Sequence, residues 1–333
     1  MKLDRATSGL RRRNPSRVGR CLIATIAVGL TVGATACSSS SDDDASGETI
    51  TITDARGDQE LMLRPERVVA LDNQWIDSVL ALDETPVGYL DNLEVVAGAA
   101  PPWHEGALDD ATELKFTDDL IEKVGELAPD LILIPNYLIT DDQYNKLKSI
   151  APTLSALTPG AGVDAWDQRV EVLGKVFDKE DKADEVVASV NDKLDGLAAK
   201  YPKLQGKTFI TAYLVGSQIT VLGDPEDGSA KIFERLGLSI PQHIVDIKGP
   251  TGRPTLSSER IGELDSDIIF AATNNPDQNA FAALPGYDAL PAVQSGSVYV
   301  ASLTTITGLN QPTPLALPYA LDEIEPTLAN AAK

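Results

Sequence analysis

Two histidines, His104 and His243, and two cysteines, Cys21 and Cys37, are all the imidazole and thiol in this 333-residue chain. A nucleophile–base pair would have to use one of the two histidines, and neither stands beside a fitting partner. No G-x-S-x-G or P-loop motif occurs. Gly160-Ala161-Gly162-Val163-Asp164-Ala165 has dinucleotide-binding spacing, but Thr158-Pro159 interrupts the strand-to-turn geometry that such a loop needs. A zinc or manganese site would want several histidines and carboxylates together. What remains is recognition chemistry. Asn, Gln, Thr and aromatic residues gather where predicted strands end, and ligands of parallel α/β sheets bind beyond the carboxyl ends of strands. The candidates in the first half are Asn73, Gln74, Trp75, Asn92, Trp103, Asn136, Tyr137 and Arg169. In the second half they are Tyr213, Arg253, Asn274 and Thr304. Each tryptophan also has a plainer reading as a lid on the core. His243, opening a predicted strand, reads as packed.

These residues need a frame. Ala183, Val186, Val187, Val190, Leu194, Leu197 and Ala198 fall on one face of a 3.6-residue period, so residues 181–200 are expected to form a single helix. Tyr201-Pro202 ends it. At 1.5 Å per residue it measures roughly 30 Å. On either side strands and helices alternate. The expected fold is α/β, two Rossmann-like lobes joined by one long helix. The expected boundaries are an N-terminal lobe over 49–165, a helical linker over 166–203 and a C-terminal lobe over 204–333. In the first lobe, 67–71, 86–90, 131–134 and 153–157 read as strands, and 95–110 as loop. In the second, 208–214, 218–222, 243–247, 268–271 and 297–301 read as strands. Helices are expected at 229–236, 257–264, around 279–284 and over 314–328.

Residues 1–36 read as an export signal, with a basic start, an apolar run from Cys21 to Val32 and small residues before Cys37. The run is shorter than a membrane-spanning helix needs. Ser38-Ser39-Ser40-Ser41-Asp42-Asp43-Asp44 continues it as a polar tether, residues 37–48, unable to bury a core. Cys37 is therefore the expected lipidated first residue. Arg12-Arg13 hints at twin-arginine export, but Asn14-Pro15 follow where apolar residues would be expected. Losing seven basic and one acidic residue with the signal takes the net charge from −22 to −28. Such a balance argues against nucleic acid and anionic lipid surfaces. It also leaves no pair of cysteines to form a disulfide.

The two halves carry a repeat. Residues 122–132 and 259–269 align at an offset of 137, with Glu122/Glu259, Gly125/Gly262, Glu126/Glu263, Leu127/Leu264, Asp130/Asp267 and Ile132/Ile269 identical. Convergent packing explains the leucines, glycines and isoleucines. It does not explain Glu122 and Glu259, on the solvent side of their helices, which are expected to share a role.

Thr-Ile-Thr-Asp-Ala-Arg-Gly (51–57), Pro-Glu-Arg-Val-Val-Ala-Leu-Asp (65–72), Pro-Val-Gly (86–88), Leu-Ala-Pro-Asp-Leu-Ile-Leu (127–133), Tyr-Asn-Lys-Leu-Lys-Ser-Ile-Ala-Pro-Thr (144–153) and Gly-Lys-Val-Phe-Asp-Lys-Glu-Asp-Lys-Ala (174–183) follow the lipobox-like Ala34-Thr35-Ala36-Cys37. Ala34 departs from the usual Leu or Val. This order resembles the iron–siderophore substrate-binding lipoproteins of ABC importers, of the helical-backbone, class III superfamily that also carries haem and vitamin B12. The resemblance runs from about Thr49 to Leu328. It implies a non-enzymatic, monomeric protein, anchored to the extracytoplasmic face of the cell membrane through Cys37. It implies a ferric siderophore held between the lobes, with iron bound only inside that ligand and no cofactor. It also implies docking on ABC permease transmembrane subunits through Glu122 and Glu259, where paired carboxylates would steer and orient the encounter. Only Arg169 and Arg253 among the arginines look suited to the cleft, which favours a neutral hydroxamate chelate over a charged catecholate. The alternatives are haem or vitamin B12 as cargo, or a surface chelatase or siderophore-modifying enzyme.

Overall fold

The computed structural model describes residues 48–333 except 118, 136–138, 161–162 and 276. The export signal, Cys37, Asn136 and Tyr137 lie outside the described residues. Among those described, no helix is long and apolar enough to cross a membrane.

Alternating Thr and Ile residues make β1 (Thr49–Asp54), which pairs antiparallel with β2 (Gly57–Met62). Gly57 takes φ +110° at the turn, a backbone that side chains disfavour. The first lobe then runs β3 (Val68–Ala70), α1 (Asn73–Ala81), β4 (Gly88–Tyr89), α2 (Asn92–Ala97), β5 (Thr112–Glu113), α3 (Leu120–Glu126), β6 (Leu131–Leu133), α4 (Asp141–Lys148) and β7 (Thr153–Leu154). Its five strands are all parallel, in the order β5-β4-β3-β6-β7. Val68 and Ala70 join the main core while Val69 and Ile132 join a smaller core under α3 and α4. Both sheet faces are thus covered, which is why these strands read as unbroken apolar runs.

Helices α5 (Trp166–Phe177) and α6 (Glu180–Lys200) link the lobes. They approach closely at Gly174, where a Cβ would lie 2.6 Å from that of Ala183. The expected single helix is present, 21 residues long with no proline inside. Its first half is pinned to the first lobe by Lys182–Asp83 (3.0 Å) and its second half to the other by Lys193–Asp322 (2.6 Å) and Arg235–Asp195 (2.7 Å).

The second lobe runs β8 (Phe209–Val215), β9 (Gln218–Val221), α7 (Gly228–Arg235), α8 (Gln242–Val245), β10 (Thr255–Ser257), β11 (Ile268–Thr273), α9 (Pro291–Gln294), β12 (Val298–Val300), α10 (Leu303–Asn310) and α11 (Ala316–Ala331). Its sheet is mixed, order β10-β9-β8-β11-β12. β8, β11 and β12 are parallel, but β8–β9 and β9–β10 are antiparallel. Thr208 to Leu214, Gln218 to Leu222 and Ser297 to Ala301 are strands as expected, within a residue or two.

Four local expectations are corrected. Residues 243–247 form no strand. Pro241 turns the chain, its carbonyl accepts from Ile244 N (3.0 Å), and His243 lies on α8, exposed, with Nε2 at 2.8 Å from Glu263 O. Residues 279–284 form turns rather than a helix. The 95–110 loop yields its first residues to α2, capped by Asp91, and a 3-10 turn at Pro102–His104. Residues 303–310, left outside the helices, form α10, with Ser302 Oγ accepting from Thr305 N (3.0 Å).

The repeat has a structural counterpart. Asp130 accepts from the backbone N–H groups of Glu66 (2.8 Å) and Arg67 (2.9 Å), just ahead of β3. Asp267 accepts from Thr208 N (2.8 Å) and its hydroxyl (2.9 Å), just ahead of β8. Each aspartate holds the entry of the central strand beside its own. That is a reason for the shared Asp beyond simple packing.

Candidate functional site

Strand-end residues in the first lobe have mostly local work. Asp72 caps α1 by accepting from Trp75 N (2.8 Å), and Asp91 caps α2 through Leu93 N (2.8 Å) and Glu94 N (3.1 Å). The Trp75 side chain is fully enclosed, with Nε1 donating to Ile134 O (3.0 Å). The Arg169 guanidinium lies 4.3 Å over that ring and is itself buried. Arg169 pairs with Asp164 (3.1 Å) and Asp72 (3.5 Å). Burial pushes the Asp72 carboxyl up, and the Arg169 charge opposes that shift. Trp75 and Arg169 are therefore core residues, because two buried carboxylates demand a cation and a planar cation packs well on an indole. The expectation that either touches ligand is corrected.

The remaining first-lobe candidates divide. Asn73 is buried at the start of α1, its N–H donating to Asn92 Oδ1 (2.9 Å). Gln74 is buried and reaches across to the second lobe, donating to Pro312 O (3.2 Å). Trp103 is half-buried, donates to Asp77 (3.1 Å) and packs against Tyr319 of α11 with ring centroids 5.4 Å apart. None of these three lines the cavity. Asn92 does, and it donates to Gln311 Oε1 (3.2 Å) in the second lobe.

The cavity holds about 400 Å³ between α2 and the second lobe. Asn92, Val96 and Val163 come from the first lobe. Thr211, Tyr213, Thr220, Val221 and Leu222 line it from β8, β9 and the residue that follows. Leu303, Ile306, Thr307, Asn310 and Gln311 come from α10 and its end, and Arg253 from the loop before β10. Tyr213 is half-buried, and burial raises its phenol above the ordinary value, so it stays a neutral donor. Arg253 Nη2 lies 3.1 Å from both oxygens of Asp227 and 3.2 Å from Ser229 Oγ and Asn310 O. Its charge is thus matched by a buried aspartate, and its donors hold the carboxyl end of α10. Thr304 is half-buried on the first turn of α10, away from the cavity lining. Asn274 is exposed on the loop after β11 and lies apart from it too. Neither expected candidate is thus brought to this cavity. The cavity brings together Asn92, Tyr213 and Arg253 of the expected set.

The α10 residues were missed. Thr-rich sequence and Gly308 lower helix propensity, yet Ser302 as cap and the spacing Leu303, Ile306, Leu309 were visible signals. The Thr211 and Thr220 positions follow from strand register alone, which a single sequence does not reveal.

Glu122 and Glu259 are both exposed. Lys123 pairs with Glu126 (2.9 Å) and Arg260 with Glu263 (2.5 Å). The cation that follows each in sequence is thereby paired with another acid, and among the described residues no ion pair is formed by Glu122 or Glu259. Among the described residues no group of three or more His, Cys, Asp or Glu could hold a metal.

This architecture has close parallels. A crystal structure of a periplasmic solute binding protein from Mycobacterium smegmatis matches with a TM-score of 0.72 at 22% identity, over 86% of this chain and 99% of that one. A Bacillus subtilis structure, described as a periplasmic binding protein component of a Fep/Fec-like ferrichrome ABC transporter, matches with a TM-score of 0.65 at 26% identity, over 83% and 98%. The chain is 28% identical to the "Probable siderophore-binding lipoprotein" of Bacillus subtilis over 309 residues, 86% of this chain and 90% of that one. The family model described as periplasmic binding protein matches residues 68–302, from the first central strand to the cap of α10. With both lobes and the joining helix inside or flanking that match, this chain belongs to the periplasmic binding protein family.

Proposed function

We propose that this protein captures a ferric siderophore in the cavity between its lobes and delivers it to an ABC permease, tethered outside the membrane by lipid on Cys37. The observation that carries this reading is the cavity wall. It is built of Val, Leu, Ile, Thr, Tyr and amide side chains, and its one lining arginine is already neutralised by Asp227. Such a wall suits a preassembled chelate with carbonyl oxygens and little net charge, which favours the hydroxamate type. The chelator fills the coordination shell of iron, so the protein need supply no metal ligand and no cofactor of its own. The likeness to a siderophore-binding lipoprotein and to a component of a ferrichrome transporter supports the same cargo. Neither histidine lines the cavity, which disfavours the chelatase or esterase reading.

A tryptophan-fluorescence titration of the protein with ferric hydroxamates, ferric catecholates, haem and cobalamin tests it. Saturable one-to-one quenching by a hydroxamate such as ferrichrome, with the chelate unchanged over hours, is the expected result. Tight uptake of haem or cobalamin with no response to any ferric siderophore would overturn it, and turnover of the chelate would restore the enzyme alternative. For delivery, Glu122 and Glu259 are the proposed docking pair, since each presents an exposed carboxylate on its own lobe. The double variant Glu122→Arg, Glu259→Arg should bind chelate as the parent does and lose import into cells; unimpaired uptake would remove the assignment.

A further inference from the structure

Between α10 and α11 the second lobe sends three consecutive residues across to the first. Gln311 Oε1 accepts from Asn92 Nδ2 (3.2 Å), Pro312 O accepts from Gln74 Nε2 (3.2 Å), and the Thr313 hydroxyl donates to Asp77 Oδ2. Asp77 lies on α1 and is fully buried. Its other donors are His104 Nε2 (2.5 Å) and Trp103 Nε1 (3.1 Å). Burial pushes the Asp77 carboxyl up, the hydrogen bond and charge of His104 and the Thr313 hydroxyl oppose that shift, and three donors fix the carboxyl in direction. His104 is braced from behind by Asp91, the cap of α2, at 3.3 Å. Trp103 packs on Tyr319 of α11. The Thr313 oxygen in turn accepts from Ala316 N (2.8 Å), so the hydroxyl gripped by Asp77 also caps α11. The Asp77 carboxyl thereby lies at the amino end of that 16-residue helix, where the helix dipole favours its anionic form.

We propose that Asp77 is a positioning residue for ligand capture: through Thr313 it clasps the Gln311–Thr313 segment to the first lobe and so sets α10, the helix that walls the cavity. The joining helix keeps the lobes at a fixed spacing along its axis, and this buried clasp decides how they face each other across it. The cavity of about 400 Å³ stands at the small end of ligand sites, which run from about 300 to 1,000 Å³. Admitting a bulky chelate requires α2 to part from α10. Asn92 and Gln311 line the cavity whereas Asp77 and Thr313 do not, so the Asn92–Gln311 contact can part to open the mouth while the Thr313–Asp77 contact holds. The link from clasp to capture rests on the cavity being the ligand site, as proposed above. The clasp itself does not.

The test compares Thr313→Val with Thr313→Ser in the full chain, with no ligand added. Trp103 emission is isolated by subtracting the matching Trp103→Phe variant, and the radius of gyration is read by small-angle scattering. Thr313→Val should shift Trp103 emission to longer wavelength and enlarge the particle, while Thr313→Ser, which keeps the hydroxyl, matches the parent. Ferrichrome should then dissociate about tenfold faster from Thr313→Val, equivalent to ~1.4 kcal/mol. Parental emission and size in Thr313→Val would overturn the clasp. Should Thr313→Val fail to fold, amide exchange on the parent decides the matter. Residues 311–316 should open together with α1 although they lie more than 200 positions apart in sequence; much faster exchange at 311–316 would overturn the proposal. Failure of ferrichrome to bind the parent protein would count against the functional reading alone, since the ligand-free measurements stand without it.

Discussion

The two lobes share a repeat and use its loops differently. In the first, Asp72 and Asp91 at the ends of β3 and β4 cap helices, Trp75 fills the core, and the ionisable side chains of Asp77, His104 and Arg169 are buried behind them. In the second, a face of the sheet opens onto the cavity, with Thr211 and Tyr213 of β8 lining it beside Arg253. The sheets differ in the same sense. Short parallel strands, covered on both faces, build the first lobe, whereas antiparallel pairing of β8 and β9 puts Thr211, Tyr213 and Thr220 on the face toward the ligand space. One lobe thus provides a charged, rigid anchor and the other a mostly neutral wall. Polar residues at strand ends are not a ligand site by type alone; their orientation decides.

The largest expected effect tests the anchor. Arg169→Met strands Asp72 and Asp164 in the core without their cation and should cost about 3–5 kcal/mol in urea unfolding. A loss below about 1 kcal/mol, within the range of an exposed pair, would show that the first lobe is not held by its buried charges. Next comes pH. Burial alone would lower the His104 pKa, but the hydrogen bonds and charges of Asp77 and Asp91 outweigh it and raise it to about 9. The histidine contribution is fully present below pH 6.5, the ordinary value, and is lost as pH rises through about 9. Melting temperature should therefore fall across that window, by an amount equivalent to about 3 kcal/mol at most. His104→Gln should flatten the profile, and an unchanged slope would assign the loss to other groups. The smallest effect separates the lobes by function. Tyr213→Ala should weaken ferrichrome binding about tenfold, or ~1.4 kcal/mol, with little change in unfolding. Trp75→Phe should do the reverse, lowering stability with the affinity kept. Equal effects on both properties in both variants would erase the distinction between anchor and wall.

Much of this was legible beforehand where local pattern governs. The joining helix was readable because seven apolar residues keep helical spacing and a proline stops it, and the central strands because both faces are buried. The site was legible only in part. Asn92, Tyr213 and Arg253 line the cavity, but Thr304 missed it by facing elsewhere on a helix read as loop, and Asn274 by lying on an outer loop. Trp75 and Arg169 carry the residue types of a ligand platform, and the same affinity of a guanidinium for an indole serves the core here.

By itself the sequence determined the two-lobe plan, the stiff connection, the paired exposed glutamates and the shortage of catalytic groups. All of these arise from residue type and from spacings within a helical turn or a strand. Only the tertiary structure decided that Arg253 is balanced by Asp227, that α10 walls the cavity, and that Thr313 meets Asp77. Those contacts join residues 26 and 236 positions apart. Such pairing depends on how the lobes fold back on one another, and no local periodicity records it.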